Sequence, residues 1–234
     1  MSIKNNIIEI KNRINEACKK VNRDPNEITL IAVSKTMTNE DIIEAASFGM
    51  TNFGENKVQE LSTKYNEINN PSLKWHQIGH LQRNKVKYII DKVELIHSVD
   101  SIKLASKIND EALKRNITAN ILIQVNIANE ETKFGISRNE AHHIIREIDK
   151  MSQINIKGLM TIAPYVENSE INRIHFRTLK DLHVDISSKN KDNIFKVKNS
   201  FDILSMGMTN DYEVAIEEGA NMIRIGTGIF GVRE

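Results

Sequence analysis

The chain has 234 residues, of which 40% are hydrophobic and 27% are charged. This is the composition of a folded globular protein, with length for one large domain or two small ones. The formal net charge of only +1 argues against a protein that holds nucleic acid through a global positive field.

The single cysteine excludes an internal disulfide, and no apolar run approaches the ~20 residues of a membrane helix. The first residues mix charge through their apolar positions, unlike a signal peptide or an anchor. We therefore expect a cytoplasmic protein with no membrane and no nucleic-acid partner.

The N-terminal segment has the spacing of an amphipathic helix. Isoleucines recur at three- and four-residue steps between residues 3 and 21, and Asp24-Pro25 breaks the pattern. No Pro/Gly/Ser-rich linker or low-complexity tract divides the rest of the chain. We predict one domain over residues 1–234, beginning with this helix.

The remainder alternates short apolar runs with longer amphipathic stretches. Thr38 has the position of an N-cap with Asp41 three residues on, and Gly49 and Gly219 lie where helices would end. The runs, eight in number, are TLIAVS (29–34), TNFGE (51–55), KWHQIG (74–79), ELIHSV (94–99), NILIQVNI (120–127), IKGLMTI (156–162), DILSMG (202–207) and NMIRIG (221–226). This rhythm predicts an α/β fold, a (β/α)8 TIM barrel with an extra N-terminal helix. The rival is a doubly wound open sheet, which has about five or six strands.

Polar and small residues collect where these runs end, which is the edge at which barrel enzymes place their chemistry. Lys35 closes the first run and, at period two, shares a face with Ile31 and Val33. If that face lines the barrel, the ammonium lies over a packed interior, where desolvation lowers the pKa of an amine and favours a Schiff base. The alternative is a lysine that ends a strand in solvent.

Arg224 lies within the last run, with an apolar neighbour on each side. A buried guanidinium stays charged and needs an acceptor. One interpretation is a structural ion pair with a carboxylate such as Glu55 or Asp100. The other is a donor to a ligand atom.

The last two runs end in sequences that suit an anion. Gly226-Thr227-Gly228 follows the eighth run, and Ser205 and Gly207 close the seventh. Many barrels bind phosphate in the loops after strands 7 and 8, where glycines let backbone N–H groups approach and hydroxyls add donors. We predict no metal site and no serine-hydrolase site, because the seven histidines have no cysteine partner or HExxH pattern and no GxSxG elbow occurs.

The chain also carries a set of longer motifs. They are IAVSKT (31–36), FGEN (53–56), WHQIGHLQRNK (75–85), HSVD (97–100), KFG (133–135), GLMTIAP (158–164), LSMGMTND (204–211), AI (215–216) and IRIGTGIFG (223–231). In this order, over nearly the whole chain, they resemble the YggS/PROSC family, whose members are called pyridoxal phosphate homeostasis proteins. Two residues depart from the family pattern: Arg83 stands where a small residue is common, and Thr209 where Ser is common.

The resemblance implies a barrel like the N-terminal domain of bacterial alanine racemases, without their C-terminal β-domain, holding pyridoxal 5′-phosphate (PLP) as an internal aldimine. The residues it assigns to PLP are Lys35 for the covalent bond, Arg224 for the pyridine nitrogen, Ser205, Gly226 and Thr227 for the phosphate, and Asn56, His80 and Met206 for the cofactor pocket. A permanent cation beside the pyridine nitrogen keeps it unprotonated and makes the ring a poorer electron sink. Aminotransferase and decarboxylase chemistry is therefore disfavoured.

Racemisation needs a second acid–base group on the opposite face of the substrate. Alanine racemases take a tyrosine from the added β-domain and its dimer partner, whereas Tyr212 is the near-site candidate here. We therefore expect a monomeric protein that buffers PLP and passes it to apo-enzymes, rather than an enzyme. The alternatives are a weak or narrow amino-acid racemase and a sugar-phosphate aldolase that uses Lys35.

Overall fold

A computed structural model of the chain describes residues 2–128, 130, 133–191 and 200–231. Its parallel strands form one closed barrel in chain order, with the eighth pairing back to the first. The strands are β1 Thr29–Val33, β2 Asn52–Glu55, β3 Lys74–Gln77, β4 Leu95–Val99, β5 Ala119–Gln124, β6 Ile154–Met160, β7 Ile203–Met208 and β8 Met222–Ile225. Each strand overlaps one predicted run, so the barrel is confirmed and the open sheet is wrong.

Helices surround the barrel. They are α1 Ile3–Lys20, α2 Asn39–Ser47, α3 Val58–Ile68, α4 Ile102–Arg115, α5 Ala141–Asp149, α6 Arg173–Lys191, α7 Tyr212–Glu217 and α8 Thr227–Phe230. The extra N-terminal helix is confirmed as α1, which packs against α7 and α8. Within the described ranges, no helix is both long and apolar enough to cross a membrane.

Local sequence explains where α2 begins and ends. Thr38 and Asp41 form the predicted capping box, each side chain bonded to the other's backbone N–H. Gly49, with a φ of +84°, follows the end of the helix. Between β3 and β4 the structure has a 3₁₀ helix, Arg83–Tyr88, in place of the expected α-helix. Its buried Val86 and the following Ile89 are three residues apart, a spacing that lines up on a 3₁₀ turn.

Two separate apolar clusters hold the barrel together. The larger fills the layer between the strands and the helices. The smaller lies inside the barrel and contains Ile31, Leu95, Leu122, Met160 and Met222. Because Ile31 is in the inner cluster, alternate residues of β1 point inward, as the period-two argument for Lys35 requires.

Candidate functional site

Lys35 follows β1 at the C-terminal mouth of the barrel. It is two residues beyond Val33, the last residue of the strand, and its side chain is half-buried. Among the residues that the structure describes, none accepts a hydrogen bond from the Lys35 amine or forms an ion pair with it. The amine is thus partly shielded from water and not committed to a protein partner.

The backbone on the N-terminal side of Lys35 is held by a buried ionic group, which we call the Lys64 cluster (Ser34, Glu55, Glu60 and Lys64). The Lys64 Nζ donates to the Ser34 backbone oxygen at 2.7 Å, to Glu55 Oε1 at 2.8 Å and to Glu60 Oε1 at 2.7 Å. Ser34 Oγ donates to Glu55 Oε1 at 2.6 Å. Every ammonium proton of Lys64 therefore has an acceptor, in contrast to Lys35.

The same cluster holds the backbone on the other side of Lys35. Thr36 has a φ of +66°, a left-handed conformation that is costly for a β-branched residue. Its backbone N–H donates to the carboxylate of Glu60. Burial alone would raise the pKa of Glu60, but the hydrogen bonds from Lys64 and Thr36 lower it below its usual value. Burial raises the pKa of Glu55 despite the opposing bonds from Lys64 and Ser34.

Arg224 of β8 points into the barrel and is 4% exposed. Its Nη1 donates to Ser205 Oγ at 2.6 Å, and its Nη2 donates to the Thr161 backbone oxygen at 2.9 Å. The structural ion pair with Glu55 or Asp100 is wrong, since Glu55 is bonded to Lys64 and Asp100 lies beside His80. Both acceptors of Arg224, the Ser205 hydroxyl and the Thr161 carbonyl, are neutral. Desolvation lowers the pKa of Arg224 to about 10.

Two histidines continue this hydrogen bonding through the barrel interior. Ser205 Oγ lies 3.0 Å from His97 Nδ1, His97 Nε2 lies 3.1 Å from His76 Nδ1, and His76 Nε2 lies 3.1 Å from Asn52 Oδ1. We call Arg224, Ser205, His97, His76 and Asn52 the interior chain. Burial lowers the pKa of His76 to about 3 and that of His97 well below its usual value.

Sequence reasoning weighed these histidines only as metal ligands. Over the ranges that the structure covers, no three His, Cys, Asp or Glu side chains are grouped as a metal site would need. The available signal was the period-two alternation of β4, in which His97 shares the inward face of Leu95. A polar residue at an inward position of a barrel strand must find a partner across the barrel.

The predicted residues of β7 divide between the two sides of the strand. Ser205 is fully buried and its hydroxyl is engaged by Arg224 and His97. The Met206 side chain packs in the outer apolar layer, so only its main chain faces the mouth. Gly207, with a φ of +93°, lies at a register shift of the strand, where an added Cβ would be 2.6 Å from the Ala215 Cβ.

The loops after β7 and β8 meet, as the phosphate prediction requires, and the loop after β6 lies beside them. Gly226 immediately precedes the short helix α8, and Thr227 Oγ1 lies 3.3 Å from Thr209 Oγ1. A cavity of about 150 Å³ opens beside them, lined also by Tyr165, Met208 and other residues of these loops. Asp211 stabilises the β7 loop by accepting from the Met208 backbone N–H at 2.7 Å. Sequence reasoning noted Thr209 only as a departure from a family pattern, yet its hydroxyl belongs to this group.

Three other candidates have different surroundings. Asn56 is half-buried after β2, and its backbone oxygen accepts from Gln77 Nε2 at 3.0 Å. His80 is exposed at the rim, stacked on Phe134 with ring centroids 3.8 Å apart. Tyr212 is buried in the outer apolar layer, where burial raises its pKa to about 12. Its hydroxyl has no hydrogen-bond partner among the described residues.

Comparison with known proteins gives consistent matches along the chain. A family model described as "Alanine racemase, N-terminal domain" matches residues 5–234. A relative from Aquifex aeolicus named "Pyridoxal phosphate homeostasis protein" is 42% identical, covering 95% of this chain and 94% of the relative. A relative of the same name from Escherichia coli K12 is 36% identical, covering 99% and 97%.

Solved structures agree with these matches. PipY of Synechococcus elongatus, in a structure with PLP bound, is 30% identical with a TM-score of 0.79, covering 93% of this chain and 100% of PipY. The alanine racemase of Clostridium difficile 630 is 17% identical with a TM-score of 0.69, covering 99% of this chain and 57% of the racemase. The similarity to this racemase shows a shared fold and nothing more.

Proposed function

This chain belongs to the alanine racemase N-terminal domain family and, within it, to the pyridoxal phosphate homeostasis proteins, and from that premise we propose that it binds PLP at the C-terminal mouth of its barrel. We further propose that it holds the cofactor on Lys35, limits the free concentration of this reactive aldehyde in the cytoplasm and passes it to apo-enzymes. The PLP-bound structure of PipY supports the choice of ligand.

The single observation that carries the proposal is the state of Lys35. Lys35 is half-buried and its amine has no partner among the described residues, while its flanking residues are held by the Lys64 cluster. In its neutral form such an amine adds to the aldehyde carbon of PLP; the carbonyl oxygen then leaves as water and a C=N bond remains. The products of this Schiff-base formation are one imine and one water, with no oxidant or reductant.

Arg224 fits the pyridine ring of PLP. It is a buried cation whose acceptors, Ser205 and the Thr161 carbonyl, carry no charge to neutralise it. Bound PLP carries negative charge that would compensate this cation. With a guanidinium at its nitrogen, the ring is a poorer electron sink. This argues against aminotransferase and decarboxylase chemistry, whereas racemase chemistry remains electronically allowed.

The phosphate fits the loops after β7 and β8. We propose that the backbone N–H groups around Gly226 and the hydroxyl of Thr227 bind it, as expected from the sequence, and that Thr209 adds a second hydroxyl. Asn56, His80 and the Met206 main chain remain predicted contacts of the cofactor pocket.

Tyr212 offers no support for the racemase alternative. A racemase needs an acid–base group that meets the substrate opposite Lys35. The Tyr212 side chain packs between the barrel and its helices, and burial raises its pKa to about 12. A buried phenol of that pKa is a poor base near neutral pH.

The test is an absorption spectrum with added PLP, then borohydride reduction and peptide mapping. We expect a visible band and a reduced adduct on Lys35, with both lost in Lys35→Ala and retained in Lys57→Ala, a neighbouring exposed lysine. Adducts spread over surface lysines would refute the site. Racemisation of an amino acid by the loaded protein, followed by chiral chromatography, would establish the alternative instead.

A further inference from the structure

We propose that His97 and Ser205 are positioning residues for Arg224, and that the Ser205 hydroxyl serves the guanidinium rather than the phosphate of the cofactor. The inference rests on the proposed function, because it concerns how Arg224 meets the cofactor ring. It departs from the sequence resemblance, which assigns Ser205 to the phosphate.

The Arg224 end of the interior chain fixes the direction of its first hydrogen bond. A guanidinium can only donate, so Ser205 Oγ accepts from Arg224 at 2.6 Å. The one proton of the Ser205 hydroxyl is then free to be donated to His97 Nδ1, 3.0 Å away. Because a hydroxyl oxygen can accept two hydrogen bonds, the protonation of His97 Nδ1 is decided at the other end of the interior chain.

The Asn52 end fixes the direction of the remaining hydrogen bonds. Asn52 presents its carbonyl oxygen to His76 Nε2, which must therefore carry a proton. Burial keeps both histidines neutral, so each ring has a single N–H. His76 Nδ1 is then an acceptor, and His97 Nε2–H donates to it across 3.1 Å. Both rings are Nε2–H tautomers, and each link has one donor and one acceptor.

This arrangement explains how a buried arginine keeps one orientation with neutral partners. Ser205 and the Thr161 carbonyl engage the two Nη atoms. The other N–H groups of the Arg224 guanidinium are left for a ligand. An unprotonated pyridine nitrogen can accept a hydrogen bond from them. His97 prevents the Ser205 hydroxyl from turning its proton toward the guanidinium.

The arrangement also restricts what Ser205 can do. Its only proton is donated to His97, and the residue is fully buried. A hydrogen bond from Ser205 to a phosphate would break the link to His97 and leave a buried imidazole nitrogen without a donor. The Thr209 and Thr227 hydroxyls, 3.3 Å apart in the β7 and β8 loops, are the available hydroxyl donors at that edge.

The first experiment needs no cofactor. Nitrogen NMR of the protein with ¹⁵N-labelled histidine reports the tautomer of each ring. We expect His97 and His76 to be neutral with the proton on Nε2. A proton on Nδ1 of His97 would overturn the direction of the chain and the proposal with it.

The second experiment compares PLP with pyridoxal, which lacks the phosphate, on two matched variants. Ser205→Ala should weaken binding of both ligands by a similar factor, about tenfold, because it disturbs Arg224 beneath the ring they share. Thr227→Val should weaken PLP binding and leave pyridoxal binding unchanged. Loss of PLP affinity alone in Ser205→Ala would make Ser205 a phosphate ligand and overturn the proposal.

His97 is tested with its own controls. His97→Phe should weaken PLP binding about tenfold or more and shift the nitrogen resonance of the bound pyridine ring. His97→Asn, whose Oδ1 can replace the Nδ1 acceptor, should restore both. His183→Phe removes another buried neutral histidine, stacked on Phe201 outside the interior chain, and should change neither. Wild-type affinity and resonance in His97→Phe would refute the positioning role, whereas a wild-type protein that binds no PLP refutes the proposed function itself.

Discussion

Replacing Lys64 with Met tests whether the Lys64 cluster holds the mouth of the barrel. The substitution keeps the length of the side chain and removes the ammonium. It leaves Glu55, which is fully buried, with the Ser34 hydroxyl as its one hydrogen-bond partner among the described residues. Removing one member of a buried ion pair costs about 3–5 kcal/mol, because the remaining charge is uncompensated. We expect that loss in the free energy of unfolding, measured by urea denaturation at neutral pH.

The chain contains a matched control in α4. Like Lys64, Lys107 forms an ion pair with a buried glutamate, which is Glu111 at 2.7 Å. Glu111 keeps two further partners, Lys114 at 2.9 Å and Arg115 at 3.0 Å, when Lys107 is lost. Lys107→Met should therefore cost no more than about 1 kcal/mol. Comparing the two variants separates the effect of removing a lysine from the effect of leaving a buried carboxylate without a cation.

The stability loss of Lys64→Met should also depend on pH, in a direction set by the pKa of Glu55. Burial already raises the pKa of Glu55, and loss of Lys64 should raise it further. A carboxyl with a folded pKa above its unfolded value of about 4.3 stabilises the fold at acid pH, and this contribution is lost as pH rises through the folded pKa. The deficit of Lys64→Met should thus shrink as pH falls from about 8 toward 5. A deficit equal to that of Lys107→Met, or independent of pH, would refute the reasoning.

The remaining predictions concern Arg224, Gly207 and Tyr212. Arg224→Glu should raise the pKa of the bound pyridine nitrogen and change the absorption spectrum; an unchanged spectrum would place Arg224 away from the ring. Gly207→Ala should destabilise the protein by about 1–3 kcal/mol in urea denaturation, because its Cβ would lie 2.6 Å from the Ala215 Cβ at a φ of +93°. Tyr212→Phe removes a buried hydroxyl without a partner among the described residues, so thermal unfolding should show equal or higher stability; a large loss would mean that the hydroxyl is bonded in solution.

The order and type of the elements could be predicted from the sequence because they depend on local spacing. Isoleucines at helical steps predicted α1, and the short apolar runs predicted all the strands of the barrel. The capping residues Thr38 and Asp41 marked the start of α2 because a cap is made by residues close in the chain. The same reasoning located Lys35, Gly226 and Thr227 at the ends of strands, where a parallel barrel collects its loops.

The contacts between side chains across the barrel could not be predicted from the sequence. Period-two alternation indicates that Arg224 and His97 face inward, but not which inward side chains they meet. Sequence reasoning offered Glu55 or Asp100 to Arg224, whereas the fold gives it Ser205 and the Thr161 carbonyl. Each of these contacts joins different strands, and its geometry depends on how the closed barrel sets their register.

The same limit applies to the Lys64 cluster. Lys64 lies on a helical segment whose sequence is that of an ordinary solvated face, yet α3 brings its ammonium beneath the backbone of Ser34. Local spacing thus determined the elements and the edge that carries the site. Only the tertiary structure decided which charges are paired, which amine is left uncommitted and which hydroxyl is already in use, because those depend on distances between residues far apart in the chain.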